Sequence, residues 1–176
     1  MFNIALFGAG RIGQVHAVNI AEHKETRLFS VVDPYQEGAQ ALATKYGAKV
    51  QSCEEAMADP QIHGVLIASA TDTHADLIEQ AARAGKTIFC EKPVHLDLAR
   101  VRDCIATVSA CKVPLFIGFN RRYDPQFRRV RELLAAGQIG KAESLVITSR
   151  DPSPPPAQYV KVSGGMFRDM TIHDFD

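Results

Sequence analysis

In residues 4–13 the sequence IALFGAGRIG joins a short apolar run to three glycines in the pattern GxGxxG. The apolar run predicts a strand that leads into a tight turn, and Gly8 permits the backbone geometry of that turn. Gly10 has no side chain to keep a phosphate group away, and Gly13 lets the next helix pack closely on the strand. That helix begins near Arg11, and its N-terminus presents unpaired N–H groups to an anion. The stretch therefore predicts a strand–turn–helix unit that binds a pyrophosphate.

A second predicted strand, residues 28–32, ends at an acidic residue. Asp33 lies twenty residues after Gly13, where a carboxylate accepts hydrogen bonds from both hydroxyls of a ribose and repels a 2′-phosphate. Pro34 follows with no arginine beside it, which favours NAD over NADP. A glycine turn next to a surface aspartate is the alternative interpretation. The two strands together predict that the chain binds NAD.

Strand and helix patterns alternate from residue 2 to about residue 118, which is typical of a parallel sheet flanked by helices. We expect about six strands in a doubly wound α/β fold, with helix ends at Gly47 and Gly85. The later strands are predicted at 64–68, 87–90 and 115–117, and helices at 36–46, 73–84 and 97–111, the last with Asp97 as its cap.

The pattern changes after residue 120. Asp124 and Pro125 predict a helix start, and Gly137 predicts its end. Residues 141–149 alternate like a strand of a different sheet, and an unpaired edge there favours dimerisation, segment swapping or aggregation. The last ten residues predict the start of a helix. We therefore expect a Rossmann domain at 1–120 and the incomplete start of a second α/β domain at 121–176.

Composition narrows the class of partner. Twenty Lys and Arg balance twenty Asp and Glu in 176 residues, so no net charge recruits nucleic acid or an anionic membrane. No apolar stretch reaches the length that spans a bilayer. The four cysteines lack CxxC or zinc-like spacing, which indicates reduced thiols in a cytoplasmic protein and no metal site. Five arginines form a local basic cluster: Arg121, Arg122, Arg128, Arg129 and Arg131. We interpret them as a solvated helix face, with phosphate binding by one of the arginines as the alternative.

Polar residues follow two predicted strands at the edge where open α/β sheets bind ligands. In residues 69–74 small hydroxyl side chains can approach a cofactor, and helix capping by Thr71, Asp72 or Thr73 is the alternative. In the second group, residues 91–93, burial disfavours the charge of Lys92 unless the lysine is paired or takes part in chemistry. A surface ion pair between Lys92 and Glu91 is the alternative there.

Asp169 and His173 form a third group. Residues four apart on a helix face the same way, so this acid and this imidazole can point into one cleft. A histidine is a natural acceptor of an alcohol proton, and a neighbouring carboxylate stabilises the imidazolium. A capped, solvent-facing helix turn is the alternative.

Together these motifs resemble the Gfo/Idh/MocA family of NAD(P)-dependent sugar and polyol dehydrogenases. The matching pieces are GAGRIGQVHA at 8–17, EKP at 91–93, GFNRRYDP at 118–125 and DxxxH at 169–173. SRDP at 149–152 and the last eighteen residues are most similar to the inositol 2-dehydrogenases of that family. The resemblance implies a Rossmann domain followed by an α/β domain with a large, mainly antiparallel sheet. Family members are longer, so it also implies that most of the second sheet is absent here.

The resemblance further implies the site residues. Catalytic positions are Lys92, Asp169 and His173, with Asn120 as a further substrate contact. The Lys92–Pro93 peptide bond is a candidate for the cis form. The expected cofactor-binding positions are Gly8, Gly10, Arg11, Ile12, Gly13, Asp33, Ser69, Thr71, His74, Glu91, Lys92 and Arg122.

The implied reaction is oxidation of a cyclic polyol, myo-inositol to an inosose, by hydride transfer to NAD in a homo-oligomer. No metal is needed, because Lys92 supplies the positive charge. A non-catalytic NAD-binding module, a truncated inactive fragment and an aldose dehydrogenase of the same family are the alternatives.

Overall fold

Six short segments of the first unit of the chain, Met1–Gly118, form one parallel sheet. The computed structural model describes residues 1–150 and 153–176. The strands are β1 (Phe2–Phe7), β2 (Thr26–Val32), β3 (Lys49–Val50), β4 (Gly64–Ile67), β5 (Thr87–Cys90) and β6 (Leu115–Ile117). Their order is β3-β2-β1-β4-β5-β6, and every neighbouring pair is parallel. This is the doubly wound order, so the predicted fold class is confirmed, and the strand order reverses between β1 and β4.

Five helices cover the two faces of the sheet: α1 (Arg11–Glu22), α2 (Gln36–Tyr46), α3 (Cys53–Ala58), α4 (Thr71–Arg83) and α5 (Leu98–Cys111). Successive strand residues point to opposite faces, so Leu6 packs with α1 and α2 while Phe7 packs with α4 and α5. Both faces of the sheet are therefore covered by helices, which explains why the strands are apolar runs in which polar residues do not alternate with apolar ones. Among the described helices, none is both long and apolar enough to cross a membrane.

Local sequence signals located most of these elements. Gly47 adopts the left-handed conformation expected after α2, with φ 64°. Asp97 caps α5 by accepting a hydrogen bond from the amide of Ala99. The sequence interpretation missed β3 and α3, because two and six residues are too short to show a period. A capping box of Ser52 and Glu55 marks the start of α3 and is visible in the sequence.

The second unit, Phe119–Asp176, opens with a 3₁₀ turn at Asn120–Tyr123 and helix α6 (Pro125–Ala135). Asp124 caps α6 as predicted, and Pro125 is its first residue. The predicted strand at 141–149 is wrong, because residues 141–150 have no regular structure. A strand needs a neighbour for its N–H and C=O groups, and the described part of this unit contains none. Residues 141–150 therefore offer no strand edge for the predicted association.

Three short helices follow: α7 (Ala157–Val160), α8 (Met166–Asp169) and α9 (Ile172–Phe175). The predicted continuous helix over the last ten residues is thus wrong. The amide of His173 donates to the carbonyl of Met170, three residues back, so no helical bond joins it to Asp169. The β-branched residues at 171 and 172 weaken the helix at this break. Asp169 ends α8 while His173 belongs to α9, and the predicted shared helix face is not formed. Residues 151 and 152 of the SRDP motif lie outside the described part.

Lys86 is a buried cation whose contacts generate a stability prediction. Its Nζ donates to the carbonyl oxygens of Asp59 at 2.6 Å and Ile62 at 2.9 Å. In Lys86→Met both carbonyls lose a charged donor, so we expect the free energy of unfolding in urea to fall by about 2 kcal/mol. Lys24→Met, at an exposed position, is the control and should change it by less than about 0.5 kcal/mol. Equal losses in the two variants would contradict this account.

Candidate functional site

The three glycines after β1 have three different reasons for lacking a side chain. A Cβ at Gly8, where φ is +103°, would lie 2.5 Å from the carbonyl oxygen of Ala68 at the end of β4. A Cβ at Gly13 would lie 1.9 Å from the carbonyl oxygen of Gly8. A Cβ at Gly10 would meet no described atom within 4 Å. Contacts within the chain therefore require Gly8 and Gly13, whereas Gly10 leaves open space for a ligand.

The N-terminus of α1 borders this open space. Gly10 is the N-cap residue, and no described side chain caps the helix or places an acid in its first turn. The amides of Arg11 and Ile12 thus lack the capping partner that most helices provide, and the helix dipole adds partial positive charge. This arrangement fits the pyrophosphate of a dinucleotide.

Asp33 closes the glycine loop from the end of β2. One carboxylate oxygen accepts from the amide of Ala9 at 2.6 Å, and the other accepts from the amide of Tyr35 at 2.7 Å. Each oxygen keeps a second lone pair, so the half-buried carboxylate can still accept two ribose hydroxyls. The residues at the ends of β1 and β2 therefore fit the adenosine side of NAD.

At the end of β4 the structure corrects one alternative. Ala70 is the N-cap of α4 and no described side chain caps it, so the capping interpretation of Thr71, Asp72 and Thr73 is wrong. Instead the hydroxyl of Thr73 donates to the carbonyl of Ala70 and lies 2.7 Å from the hydroxyl of Ser69. Ser69 and Thr71 remain at the carboxyl end of β4, where the sequence placed them.

His74 lies inside the protein rather than at its surface. Its side chain is 2% exposed, with Nδ1 2.8 Å from the carbonyl oxygen of Pro93 and Nε2 3.1 Å from that of Ser69. Both ring nitrogens therefore face backbone acceptors. This placement favours a structural role for His74 over the cofactor contact that the sequence predicted.

Glu91, Lys92 and Pro93 follow β5, and the Lys92–Pro93 bond is cis as expected. Oε1 of Glu91 lies 2.7 Å from Nε2 of His16, which belongs to α1. Burial alone would raise the pKa of Glu91, but the hydrogen bond from His16 and the nearby charge of Lys92 hold this pKa below its ordinary value. Sequence reasoning missed His16, although it lies within the quoted GAGRIGQVHA motif, one turn after Gly13.

The second unit has an open cavity of about 400 Å³. Asn120 and His173, both predicted substrate contacts, line it, with Arg121, Tyr123 and Asp124. The structure thus brings two of the four predicted substrate residues to one cavity within this unit. A cavity of this size is in the range that small ligands occupy.

Asp169 and Arg122 have partners elsewhere in the second unit. The hydroxyl of Tyr159 donates to the Asp169 carboxylate at 2.8 Å. Arg122 makes two hydrogen bonds to Asp176, at 2.5 and 2.6 Å, which raise the pKa of its guanidinium. The other arginines of the cluster that form ion pairs are Arg121 with Asp174, and Arg128 and Arg129 with Glu132. These pairs favour the solvated-face interpretation over a phosphate site.

The cysteines take no visible part in the chemistry. All four are free thiols. Burial raises the pKa of Cys90, beside Glu91, and raises that of Cys104 to about 11, so both remain neutral thiols. In residues 1–150 and 153–176 no group of three or more His, Cys, Asp or Glu side chains is arranged to hold a metal ion.

Comparison with known proteins decides the family. Residues 2–119 match the oxidoreductase family with an NAD-binding Rossmann fold, Gfo/Idh/MocA, and residues 127–176 match the Gfo/Idh/MocA C-terminal domain. The chain belongs to this family. The inositol 2-dehydrogenase of Rhizobium meliloti is 54% identical over 171 residues, which are 97% of this chain and 52% of that protein. The chain spans about half the length of the curated relatives it matches.

Solved structures of the family superpose closely on this Gfo/Idh/MocA chain. A myo-inositol dehydrogenase from Corynebacterium glutamicum gives a TM-score of 0.92 at 47% identity, over 99% of this chain and 53% of that one. A scyllo-inositol dehydrogenase from Lactobacillus casei, solved with NAD(H) and scyllo-inositol, gives a TM-score of 0.86 at 29% identity. The match covers 99% of this chain and 54% of that one. The first unit is therefore the NAD-binding Rossmann domain of the family.

The glycines provide a matched test of this site. Gly13→Ala forces a Cβ against the Gly8 carbonyl, so we expect the free energy of unfolding in urea to fall by about 3 kcal/mol. Gly10→Ala should lower it by no more than about 1 kcal/mol, the cost of alanine at an N-cap position. It should weaken NADH binding about tenfold or more, because its Cβ enters the space left for the pyrophosphate. Fluorescence titration measures the binding. Unchanged NADH affinity in Gly10→Ala would contradict the assignment.

Glu91 generates a prediction about pH. Its pKa is lower in the folded state, so the charged carboxylate stabilises the fold above its unfolded pKa of about 4.3, and this contribution is lost as the pH falls through the lower folded pKa. Glu91→Gln removes the titration but keeps an acceptor for His16. We expect urea denaturation to show a stability difference between wild type and Glu91→Gln at pH 7 that shrinks below about pH 4. A difference independent of pH would contradict the lowered pKa.

Proposed function

We propose that this chain carries the NAD-binding domain and catalytic side chains of a dehydrogenase that oxidises a CH–OH group of a cyclic polyol, with myo-inositol to an inosose as the reaction. The observation that carries the proposal is the open position at Gly10 beside Asp33 in a Gfo/Idh/MocA chain. The 54% identity to an inositol 2-dehydrogenase supports the choice of substrate. Residues 1–120 would form the cofactor domain, and 121–176 would begin the substrate and oligomerisation domain.

Holding the cofactor is the task of the first unit. When bound, NAD supplies an acceptor for the hydride that leaves the carbinol carbon. The amides of Arg11 and Ile12 at the start of α1 would hold the pyrophosphate, and the Asp33 carboxylate would accept hydrogen bonds from the ribose hydroxyls. Ser69 and Thr71, at the end of β4, offer hydroxyls to the nicotinamide side.

Proton transfer is the task of Lys92, Asp169 and His173. His173 would accept the proton of the substrate hydroxyl as general base. The family resemblance assigns Asp169 the role of stabilising the imidazolium, although the two residues lie on different helices. The resemblance assigns the ammonium of Lys92 the role of supplying the positive charge that favours alkoxide character at the reacting oxygen. The carbon–oxygen bond becomes a carbonyl as the hydride leaves. Asn120, which shares the cavity with His173, offers an amide to a substrate hydroxyl.

Tyr159 gives Asp169 a defined partner. The Tyr159 hydroxyl donates to one oxygen of the Asp169 carboxylate at 2.8 Å. We propose that this hydrogen bond holds the Asp169 carboxylate in a fixed orientation.

We also propose that the protein is a cytoplasmic homo-oligomer. Phe127, Val130 and Leu134 are exposed at helical spacing on α6, which makes an apolar stripe of the kind that subunit interfaces cover. The free thiols fit a reducing compartment. Light scattering over a range of concentrations tests the assembly, and a monomer throughout would contradict it.

A fluorescence titration with NADH, followed in the same cuvette by NAD and myo-inositol, tests the proposed function. Binding with turnover supports it. Binding without turnover of myo-inositol, scyllo-inositol or an aldose would restrict this chain to cofactor binding. Tighter binding of NADPH than of NADH would contradict the role of Asp33.

His173→Ala tests the general base. We expect kcat to fall by about 10² to 10⁴, the usual contribution of a positioned base, while the Kd for NADH stays within about threefold. His23→Ala, at an exposed position of the first unit, is the matched control and should keep full turnover. Turnover in His173→Ala equal to that of the control would overturn the assignment.

A further inference from the structure

The two chain neighbours of Lys92 each contact a histidine from a different helix. His16 of α1 places Nε2 2.7 Å from Oε1 of Glu91. His74 of α4 places Nδ1 2.8 Å from the carbonyl oxygen of Pro93. Lys92 is therefore flanked on both sides by residues whose polar groups are held by imidazole rings.

The two histidines approach from opposite faces of the sheet. On α1, Ala17 and Ile20 belong to the core cluster of Leu6, and the His16 ring packs edge-on against Phe89 of β5 at 5.2 Å. On α4, Ala75 and Ile78 belong to the core cluster of Phe7 on the other face. Neither ring can therefore substitute for the other, and each restrains the segment from its own side.

The interactions of His74 exceed what core packing alone requires. An apolar side chain of similar volume would fill the same space without the cost of burying two polar nitrogens. The second nitrogen lies 3.1 Å from the carbonyl of Ser69, so the ring bridges the loop after β4 and the loop after β5. His74 thereby contacts both loops at the carboxyl-end edge of the sheet, and its shorter contact is the one to Pro93.

His16 connects the Glu91 side of the segment to the cofactor loop. The helix that carries it starts at Arg11, directly after the glycine turn. A rigid helix thus relates the pyrophosphate site to Glu91 and, through it, to the backbone of Lys92. A displacement of about 1 Å in a reacting group costs on the order of a hundredfold in rate, so such a connection has catalytic consequences.

We propose that His16 and His74 are a pair of positioning residues that hold the Glu91–Pro93 segment, and with it Lys92, in place relative to the cofactor loop. The inference rests on the proposed function of Lys92 in proton transfer. Neither histidine contacts the substrate in this scheme, and each acts through the residue that it bonds.

Replacements specific to one ring nitrogen test the proposal. The amide nitrogen of Gln lies where Nε2 of a histidine lies, and that of Asn lies near Nδ1, so each amide keeps one donor. The contact to Glu91 uses Nε2 of His16, so His16→Gln should preserve function and His16→Asn should not. The contact that holds Pro93 uses Nδ1 of His74, so the order reverses. His74→Asn keeps the donor to Pro93 and should preserve function, whereas His74→Gln keeps only the contact to Ser69 and should not.

Two readouts are measured on the full chain. The first is amide hydrogen exchange at residues 91–95, read at 91, 92, 94 and 95 because Pro93 has no amide hydrogen, and taken relative to exchange in β1. We expect it to rise at least tenfold in His16→Asn and His74→Gln and to stay within threefold of wild type in the two preserving variants. The second is steady-state turnover of myo-inositol, where the disruptive variants should lose about tenfold to a hundredfold in kcat with KM changed less than threefold.

The outcomes separate this proposal from the proposed function. Identical behaviour of the Asn and Gln variants at each position overturns it, as does a rise in exchange that is equal in β1 and in residues 91–95. A chain that binds NADH but turns over no polyol would refute the dehydrogenase activity, and the exchange pattern would still decide the positioning role. If one disruptive variant does not fold, the pair at the other histidine decides.

Discussion

The rest of the first unit depends on the close approach of Gly13 to the carbonyl oxygen of Gly8. A single methyl group there would overlap the backbone, since its carbon would lie 1.9 Å from that oxygen. Because Gly13 has no such methyl group, α1 can start soon after the end of β1 and pack against the sheet through Ala17 and Ile20. The N-terminus of α1 is thereby brought to the carboxyl end of β1, where the strand order reverses.

The same edge of the sheet collects the other polar groups of the first unit. Parallel strands all deliver their carboxyl ends to one side, so Asp33, Ser69 and Glu91 come together although up to 58 residues separate them in the chain. Side chains then stabilise the loops: Asp33, directly after β2, bonds the glycine loop, and His74 of α4 contacts the loops after β4 and β5. The candidate site is therefore a product of sheet topology, completed by a few hydrogen bonds.

The second unit shows where local patterns stop determining structure. Asp124 and Pro125 are sufficient to start α6, because capping involves only adjacent residues. The alternating residues 141–149 have the pattern of a strand but no partner in the described part of the chain, so their backbone stays irregular. An alternating pattern indicates which side chains favour burial. It does not supply the neighbouring strand that a sheet requires.

By itself, the sequence determined the fold class, the glycine turn, Asp33 and most helix ends, because each depends on residues close together in the chain or on a regular period. Only the tertiary structure decided the contacts between distant residues. Neither the burial of His74 against Pro93 nor the bond from His16 to Glu91 follows from local pattern, since 19 and 75 positions separate the partners. Residue spacing also could not reveal the helix break between Asp169 and His173. Residues four apart share a face only within one continuous helix, and here the helix is interrupted.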